Sequence, residues 1–458
     1  MDRITSPRDF PSIEELAADE CLRPVLDGLP RPIAIDIVRT EVAAAKGRLD
    51  SGKGLTLAAL YKCIERAARR AIRQEISRVV NAAGIVVHTN LGRAPLPESL
   101  FDEVKGTITG YGNIEYDLAT GRRGKRGLVC ERYLATLAGA QAGTVVNNNA
   151  AALMMILNTL ANRKEVVVSR GELVQIGGGF RIPDILRRSG SRLVEVGTTN
   201  ITTPEDYASA ITDRTGLILK VHQSNFHQEG FTEEATIQQL LQVATDLEVP
   251  VVNDLGSGVF VDTRTLTGYS EPTVQQSVRA GADLTCFSGD KLLGGVQAGL
   301  IVGRSELVAK IKRNPLFRAV RVDKYVFAMV ERVLRLYLDG MHDRLRLWDV
   351  LKASESDLYK RGKRMLSELG NPPGLSVEAT QAYVGGGALP QAGIPSVAIC
   401  FDPAMKAAPL ERKFRYYDPP IIGRIENDRF MLDLKAVAED DLPIIVEAIS
   451  SLSSDGGS

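Results

Sequence analysis

The chain is poor in aromatic residues, which make up 5% of it with a single tryptophan, and it has only four histidines and five cysteines. Cysteines 21, 63, 130, 286 and 400 show no Cys-x-x-Cys or other metal-ligand spacing. A zinc or iron–sulfur motif is thereby excluded, and the odd number and scatter favour reduced core thiols over a disulfide framework. No apolar run approaches the roughly 20 residues that span a bilayer. The N-terminus, MDRITSPRDFPSIEELAADE, carries charges where a secretory signal would have its apolar core. The expectation is a cytoplasmic protein with no membrane partner and no metal. An excess of charge of one sign is also missing, since Lys+Arg and Asp+Glu each number 56. A globally basic nucleic-acid binder is therefore excluded, and any such contact must be local. Low-complexity tracts and short repeats do not occur, and the Gly/Ser tail at 455–458 reads as frayed.

What remains is ordinary globular composition, 44% hydrophobic and 24% charged over 458 residues, enough for two or three domains. Residues 1–70 read as a helical domain and 71–92 as a linker. Leu57, Leu60, Ile64, Ala67, Ala71 and Ile72 recur at helical spacing. The other face of that helix bears Lys62, Arg66, Arg69, Arg70 and Arg73 against only Glu65 and Glu75. Such a strip serves as a solvated helix face or as a contact to a nucleic-acid backbone. Residues 93–325 alternate Val/Ile/Leu-rich runs with helical periods, the pattern of a mostly parallel sheet covered by helices on both faces. Residues 326–458 mix helix and strand signals and read as a smaller α+β domain.

The chemistry concentrates after the strand-like runs. In DLTCFSGDKLLGG (283–295), Lys291 stands between a buried strand and a Gly-Gly turn, preceded by Asp290 and Ser288. A lysine so placed suits a Schiff base with pyridoxal phosphate. In LEVPVVNDLGSGVF (247–260), Asp254 ends a second strand, where a carboxylate could keep the cofactor's pyridine nitrogen protonated. Both fall at strand carboxyl ends, where open α/β sheets bind ligands. A Ser-x-x-Lys reading with Ser288 as nucleophile lacks its helix start and companion motifs. Asn148 and Asn149 open a helix in TVVNNNAAALMMI, as phosphate-binding residues or as plain N-caps. Gln175 in SRGELVQIGGGF is a candidate for contact with the cofactor ring. In KVHQSNFHQEGF, His222 and His227 flank Ser224 and Asn225, and one of these histidines suits the cofactor's 3′-oxygen or proton transfer. His88, Asn90 and Arg93 share a loop bounded by glycine and proline. Arg318 and Arg321, three apart, would share a helix face and grip one tetrahedral anion. The basic run YDLATGRRGKRG (116–127) would also suit phosphate.

The segments VNAAGIVVHTNLGRAPLP, EYDLATGRRGKRG, NNNAAALMMILNTLA, SRGELVQIGGGFRIPDI, VVNDLGSGVF and CFSGDKLLGGVQAG closely resemble bacterial selenocysteine synthase, the L-seryl-tRNA(Sec) selenium transferases. The resemblance spans nearly the whole chain. It implies a fold-type-I, aspartate aminotransferase-like enzyme using pyridoxal 5'-phosphate and assembled as a homodecamer, a pentamer of dimers with active sites between subunits. It further implies that Lys291 is the Schiff-base lysine and Asp290 its neighbouring acid. His88 and Arg93, with Arg318 and Arg321, would form the site for the phosphate of selenophosphate, and the N-terminal domain would bind tRNA through Arg66, Arg69, Arg70 and Arg73. The implied reaction removes water from the seryl group of seryl-tRNA(Sec) and adds selenium. A rival on the same lysine is a lyase acting on a phosphorylated small molecule such as a sugar-acid phosphate. A catalytically idle tRNA-binding scaffold would not need Lys291, Asp254 and the arginines.

Overall fold

The computed structural model describes residues 3–50, 55–176, 179–223, 226, 228–386 and 393–454. Ser224, Asn225 and His227, singled out beside His222, lie outside the described residues, as does the tail 455–458. The chain divides into two compact units, Met1–Val79 and Val80–Ser458.

The first unit is built on α1 (Arg31–Asp50) and α2 (Leu57–Ile72). Leu60, Ile64 and Ala68 recur every fourth residue of α2 and are fully buried with Val38 and Ala45 of α1. Thr56 caps α2, its hydroxyl accepting from the Ala59 N–H at 3.2 Å. The unit is not wholly helical: Arg3–Ile4 pairs antiparallel with Leu55–Thr56. Two residues are too few to leave a period-two pattern in the sequence.

The second unit begins earlier than the expected end of a linker at 92. Strand Val80–Asn81 pairs in parallel with Ile421–Ile422. The Val86 and Val87 N–H groups donate to the carbonyls of Tyr383 and Val384 at 2.9 and 2.6 Å. The apolar run from Val80 to Val87 is thus stitched to the C-terminal part of the chain, which buries Val80, Ala82, Val86 and Val87. A linker would leave those groups in water.

Seven strands form the central sheet: β1 (Ala142–Val146), β2 (Glu165–Ser169), β3 (Arg192–Val196), β4 (Thr215–Val221), β5 (Val251–Gly256), β6 (Leu284–Ser288) and β7 (Gly299–Gly303). Their order is β3-β2-β4-β5-β6-β7-β1, and only β7 runs antiparallel to its neighbours. β2, β5, β6 and β7 are almost wholly buried, as strands covered on both faces must be. The expected boundary at 325/326 does not separate two units. The helix Lys324–Leu338 buries Phe327, Val330, Val333 and Leu334 in one core with Leu100, Val104 and Leu134 of the sheet region. The C-terminal region is α+β, with β8 (Leu375–Tyr383), β9 (Gly393–Phe401), β10 (Arg424–Glu426) and β11 (Arg429–Asp433) in an antiparallel sheet of order β8-β9-β11-β10.

Candidate active site

Strands β5 and β6 are adjacent and parallel, so their carboxyl ends deliver Asp254 and the turn carrying Lys291 to one place. Both side chains are nearly sealed, 7% and 6% exposed. Asp254 Oδ1 accepts from Asn149 Nδ2 at 2.8 Å and from the Gly256 N–H at 3.1 Å. Burial pushes its carboxyl pKa up, against the pull of Asn149 and of the positive charge of Lys291. Burial also lowers the pKa of the Lys291 amine. The Arg93 guanidinium adds to that effect, while Asp254, Asp290 and Glu271 oppose it. An amine held below its usual range carries a larger neutral fraction, the form that can act as nucleophile or base.

The turn after Lys291 is held from below. Leu292 N–H donates to the Ser257 carbonyl at 3.0 Å and Gly294 N–H to the Lys291 carbonyl at 2.9 Å. Tyr337 donates its hydroxyl to the Leu293 carbonyl at 2.9 Å and accepts from Trp348 Nε1 at 2.8 Å. Tyr337 thus ties the helix Lys324–Leu338 to the lysine turn, and the single tryptophan of the chain holds its hydroxyl in place. Gly258, at φ 71°, lies so close to Phe287 and the Ser288 carbonyl that a Cβ would sit 2.5 and 2.9 Å from them. The chain crossing between β5 and β6 therefore requires glycine there.

Arg93 reaches the same place from the N-terminal side. Its Nη1 donates to both Asp290 oxygens, at 2.9 and 2.8 Å, and the Ala94 N–H donates to the Asp290 carbonyl at 3.2 Å. Arg93 has φ 67°, a left-handed conformation that costs a non-glycine residue about 1–2 kcal/mol. The pairing with Asp290 holds it there. Five residues upstream, His88 caps the turn Thr89–Leu91, its Nδ1 accepting from the Asn90 N–H at 3.2 Å. Burial lowers the His88 pKa. Burial thus favours the neutral ring, and with Nδ1 accepting from the Asn90 N–H the proton falls to Nε2.

Asn148 is the N-cap of the helix Asn149–Leu160, accepting from the Ala151 N–H at 2.8 Å, which is the plain capping role. Asn149, the first residue of that helix, instead turns to Asp254. His222 follows β4, whose Val221 lies opposite Asp254, and its N–H donates to the Asp254 carbonyl at 2.9 Å. Ser288 ends β6 and is buried.

Other expected residues stand elsewhere or in other settings. Gln175 is exposed on a two-residue ribbon and accepts from Arg181 Nε at 2.7 Å. Arg318 and Arg321 do not share a helix. A 3₁₀ turn, opened by Pro315, ends at Arg318, and Arg321 is in a β-bridge to Val146. Arg318 is exposed, whereas Arg321 lines a cavity of about 510 Å³ with Lys125, Arg126, Lys312 and Arg313 and lies 3.9 Å from Glu115. The basic run 116–127 begins as a ribbon, Tyr116–Asp117 against Arg122–Arg123, and Arg126 also lines that cavity. Arg66, Arg69, Arg70 and Arg73 are all exposed on or just after α2, with Arg69 paired to Glu65 at 2.7 Å. The cysteines are free, but only Cys130, Cys286 and Cys400 are core thiols; Cys63 is half-buried and Cys21 exposed.

Two buried glutamates were given no role from the sequence. Glu172 is buried, bonded to Lys220 Nζ at 2.9 Å and to the Val221 N–H at 2.7 Å, and so braces the end of β4. Glu271 is buried 3.7 Å from His222 Nδ1. A glutamate before a proline in a polar loop gives no signal of burial.

At this end of the sheet Asn149 Oδ1, His222 Nδ1 and Glu271 Oε1 are buried without a hydrogen-bond partner. Buried polar atoms are normally satisfied. With a buried carboxylate and a buried amine beside them, these atoms fit a polar aromatic cofactor. Among the described residues no cluster of metal ligands occurs, and no helix is long and apolar enough to cross a membrane.

Residues 79–438 match the family model described as SelA, L-seryl-tRNA selenium transferase. An L-seryl-tRNA(Sec) selenium transferase of Geotalea uraniireducens is 44% identical over 98% of this chain and 100% of that protein. That of Aquifex aeolicus is 40% identical, covering 92% and 94%. Among solved structures, D-glucosaminate-6-phosphate ammonia-lyase superposes with TM-score 0.61 at 19% identity, over 84% of this chain and 97% of that one. At that identity the likeness is one of fold.

Proposed function

The chain belongs to the L-seryl-tRNA selenium transferase family, and from that premise we propose that the Lys291 cluster is its catalytic centre. The protein is a fold-type-I pyridoxal phosphate enzyme that converts L-seryl-tRNA(Sec) to L-selenocysteinyl-tRNA(Sec). The observation that carries the assignment of the centre is the burial of Lys291 and Asp254 side by side at the carboxyl ends of β5 and β6.

Pyridoxal phosphate, when bound, supplies an electron sink that makes the seryl Cα–H acidic and lets the β-hydroxyl leave. Lys291 would tether the cofactor and, once released by the substrate amine, move the Cα proton through Nζ, a role suited by its lowered pKa. Asp254 would hold the proton on the ring nitrogen, with Asn149 fixing the carboxylate's orientation. The N-terminus of the helix Asn149–Leu160, capped by Asn148, would favour the cofactor's phosphate. His222 and Ser288 would border the ring, and Gln175 would reach it only from its exposed ribbon. Asp290 would orient Arg93, and His88 would offer its Nε2 proton to an anion beside that arginine. Because the seryl carboxyl is esterified to tRNA, no arginine is needed to clamp a free carboxylate. Arg93, held through Nη1 by Asp290, would then turn its remaining guanidinium N–H groups to the phosphate of selenophosphate as selenium donor, with Arg318 and Arg321 proposed for the same phosphate. Arg66, Arg69, Arg70 and Arg73 would contact the tRNA backbone. A homodecamer, a pentamer of dimers, and a cytoplasmic location belong to the same proposal. The free cysteines support the location.

The test is incubation with pyridoxal phosphate and tRNA(Sec) charged with labelled serine, with and without selenophosphate, and with seryl-tRNA(Ser) as control. Selenocysteine should be released only from tRNA(Sec) and only with donor. Lys291→Ala should lose at least about a hundredfold in turnover, and full activity in that variant would overturn the assignment of the centre. Unchanged serine in every tube, beside a lysine-bound cofactor spectrum, would favour the small-molecule lyase.

A further inference from the structure

The segment after β5 turns one carboxylate inward. Tyr269, Ser270 and Pro272 are exposed, yet Glu271 between them is 3% exposed. The loop is braced to hold it there: Thr263 Oγ1 donates to the Tyr269 carbonyl at 2.8 Å and accepts from the Glu271 N–H at 3.1 Å, and Thr267 Oγ1 also donates to the Tyr269 carbonyl at 3.0 Å. A buried carboxylate without a partner is costly, and Oε1 of Glu271 has none. The donor candidate beside it is His222, whose Nδ1 is 3.7 Å from that oxygen and is itself buried and unpartnered. The His222 side chain is nevertheless 26% exposed, so the accessible part of the ring lies away from Nδ1. The gap exceeds the 2.7–3.2 Å of a hydrogen bond. Active-site bonds are often long before the ligand is bound and shorten in the complex.

We propose that Glu271 is a positioning residue that accepts the Nδ1 proton of His222, fixes the ring's tautomer and orientation, and so presents Nε2 to the cofactor as an acceptor. The inference rests on the reading of Lys291 and Asp254 as a pyridoxal phosphate site. His222 is held beside that site through its N–H bond to the Asp254 carbonyl. Among the described residues, the other charged groups at the carboxyl ends of the strands include Asp254, Lys291, Asp290 and Arg93, with Glu172 and Glu234 paired to Lys220 and Arg170 paired to Glu195. Asp254, Asp290 and Arg93 are engaged by named partners, which leaves Glu271 as the carboxylate free to act on the imidazole.

The test is the pH titration of the absorption band of the lysine-bound cofactor in the full-length holoenzyme, for wild type, Glu271→Gln, His222→Asn and the double variant. Each single substitution should displace the midpoint by on the order of one pH unit, and the double variant should be displaced no further than His222→Asn. An unchanged midpoint in Glu271→Gln overturns the proposal. So does an equal shift in the His222→Asn background, since Glu271 would then act directly on Lys291 by charge. If Glu271→Gln does not fold, Glu271→Asp is read in its place. A shift there that vanishes in the His222→Asn background supports the proposal, and any other result overturns it. Absence of a lysine-bound band in wild type would instead overturn the cofactor site, and this inference with it.

Discussion

Asp254, in the centre proposed above, shows what a buried carboxylate costs. Its folded pKa is raised by burial, so between the unfolded and folded pKa values the native chain binds the extra proton and stability falls as pH rises. Without cofactor the native state at pH 7 carries that penalty. Asp254→Asn should therefore raise the Tm of cofactor-free protein at pH 7, and the difference should shrink as pH is lowered toward the unfolded carboxylate range. Calorimetry of the two apo proteins at several pH values checks this. A lower Tm for the variant at pH 7 would mean that the Asn149 and Gly256 bonds outweigh desolvation. The same substitution should weaken catalysis, because a neutral amide cannot hold the ring nitrogen's proton as a carboxylate does. At this scale the sequence was informative: a lysine or aspartate ending an apolar run is visible without a structure. Glu271 was not visible, since its burial depends on hydroxyl braces from Thr263 and Thr267.

Elements carry the next constraint. Tyr337 lies on the helix Lys324–Leu338, and its hydroxyl joins the Leu293 carbonyl to Trp348 Nε1, all three residues being buried. Tyr337→Phe would leave a buried carbonyl and a buried indole N–H without partners. We expect a loss of about 1–3 kcal/mol in unfolding free energy, read by urea denaturation. Cofactor affinity should weaken as well, because the turn bearing Lys291 loses its support. Elements with a strong period were legible in the sequence, among them the buried strands β5 and β6 and helix α2. Arg318 and Arg321 were misplaced because spacing alone cannot tell a helix face from a chain that leaves a 3₁₀ turn and pairs with a strand. Pro315 and the pairing with Val146 decided the matter.

At the scale of the whole molecule the charges balance, so tRNA binding must come from a local strip. Arg66, Arg70 and Arg73 lie exposed at the end of the first unit, and Arg69 is held by Glu65. Arg66→Glu with Arg70→Glu should weaken tRNA(Sec) binding and flatten its dependence on salt, measured by filter binding between low and moderate ionic strength. Cofactor loading should be unchanged. An unaltered affinity would remove α2 from the tRNA surface.

The sequence by itself determined what is local: burial of the strands, the residues that end them, the helical period of α2 and the motifs that identify the family. Those signals need only neighbours along the chain. The tertiary structure alone decided which of these residues meet. Asn149 reaches Asp254 across 105 positions, and Arg93 reaches Asp290 across 197. The sheet order β3-β2-β4-β5-β6-β7-β1 separates β1 from its sequence neighbour β2 and places it beside β7. Such contacts depend on the order in which strands assemble, which hydrophobic periodicity does not encode.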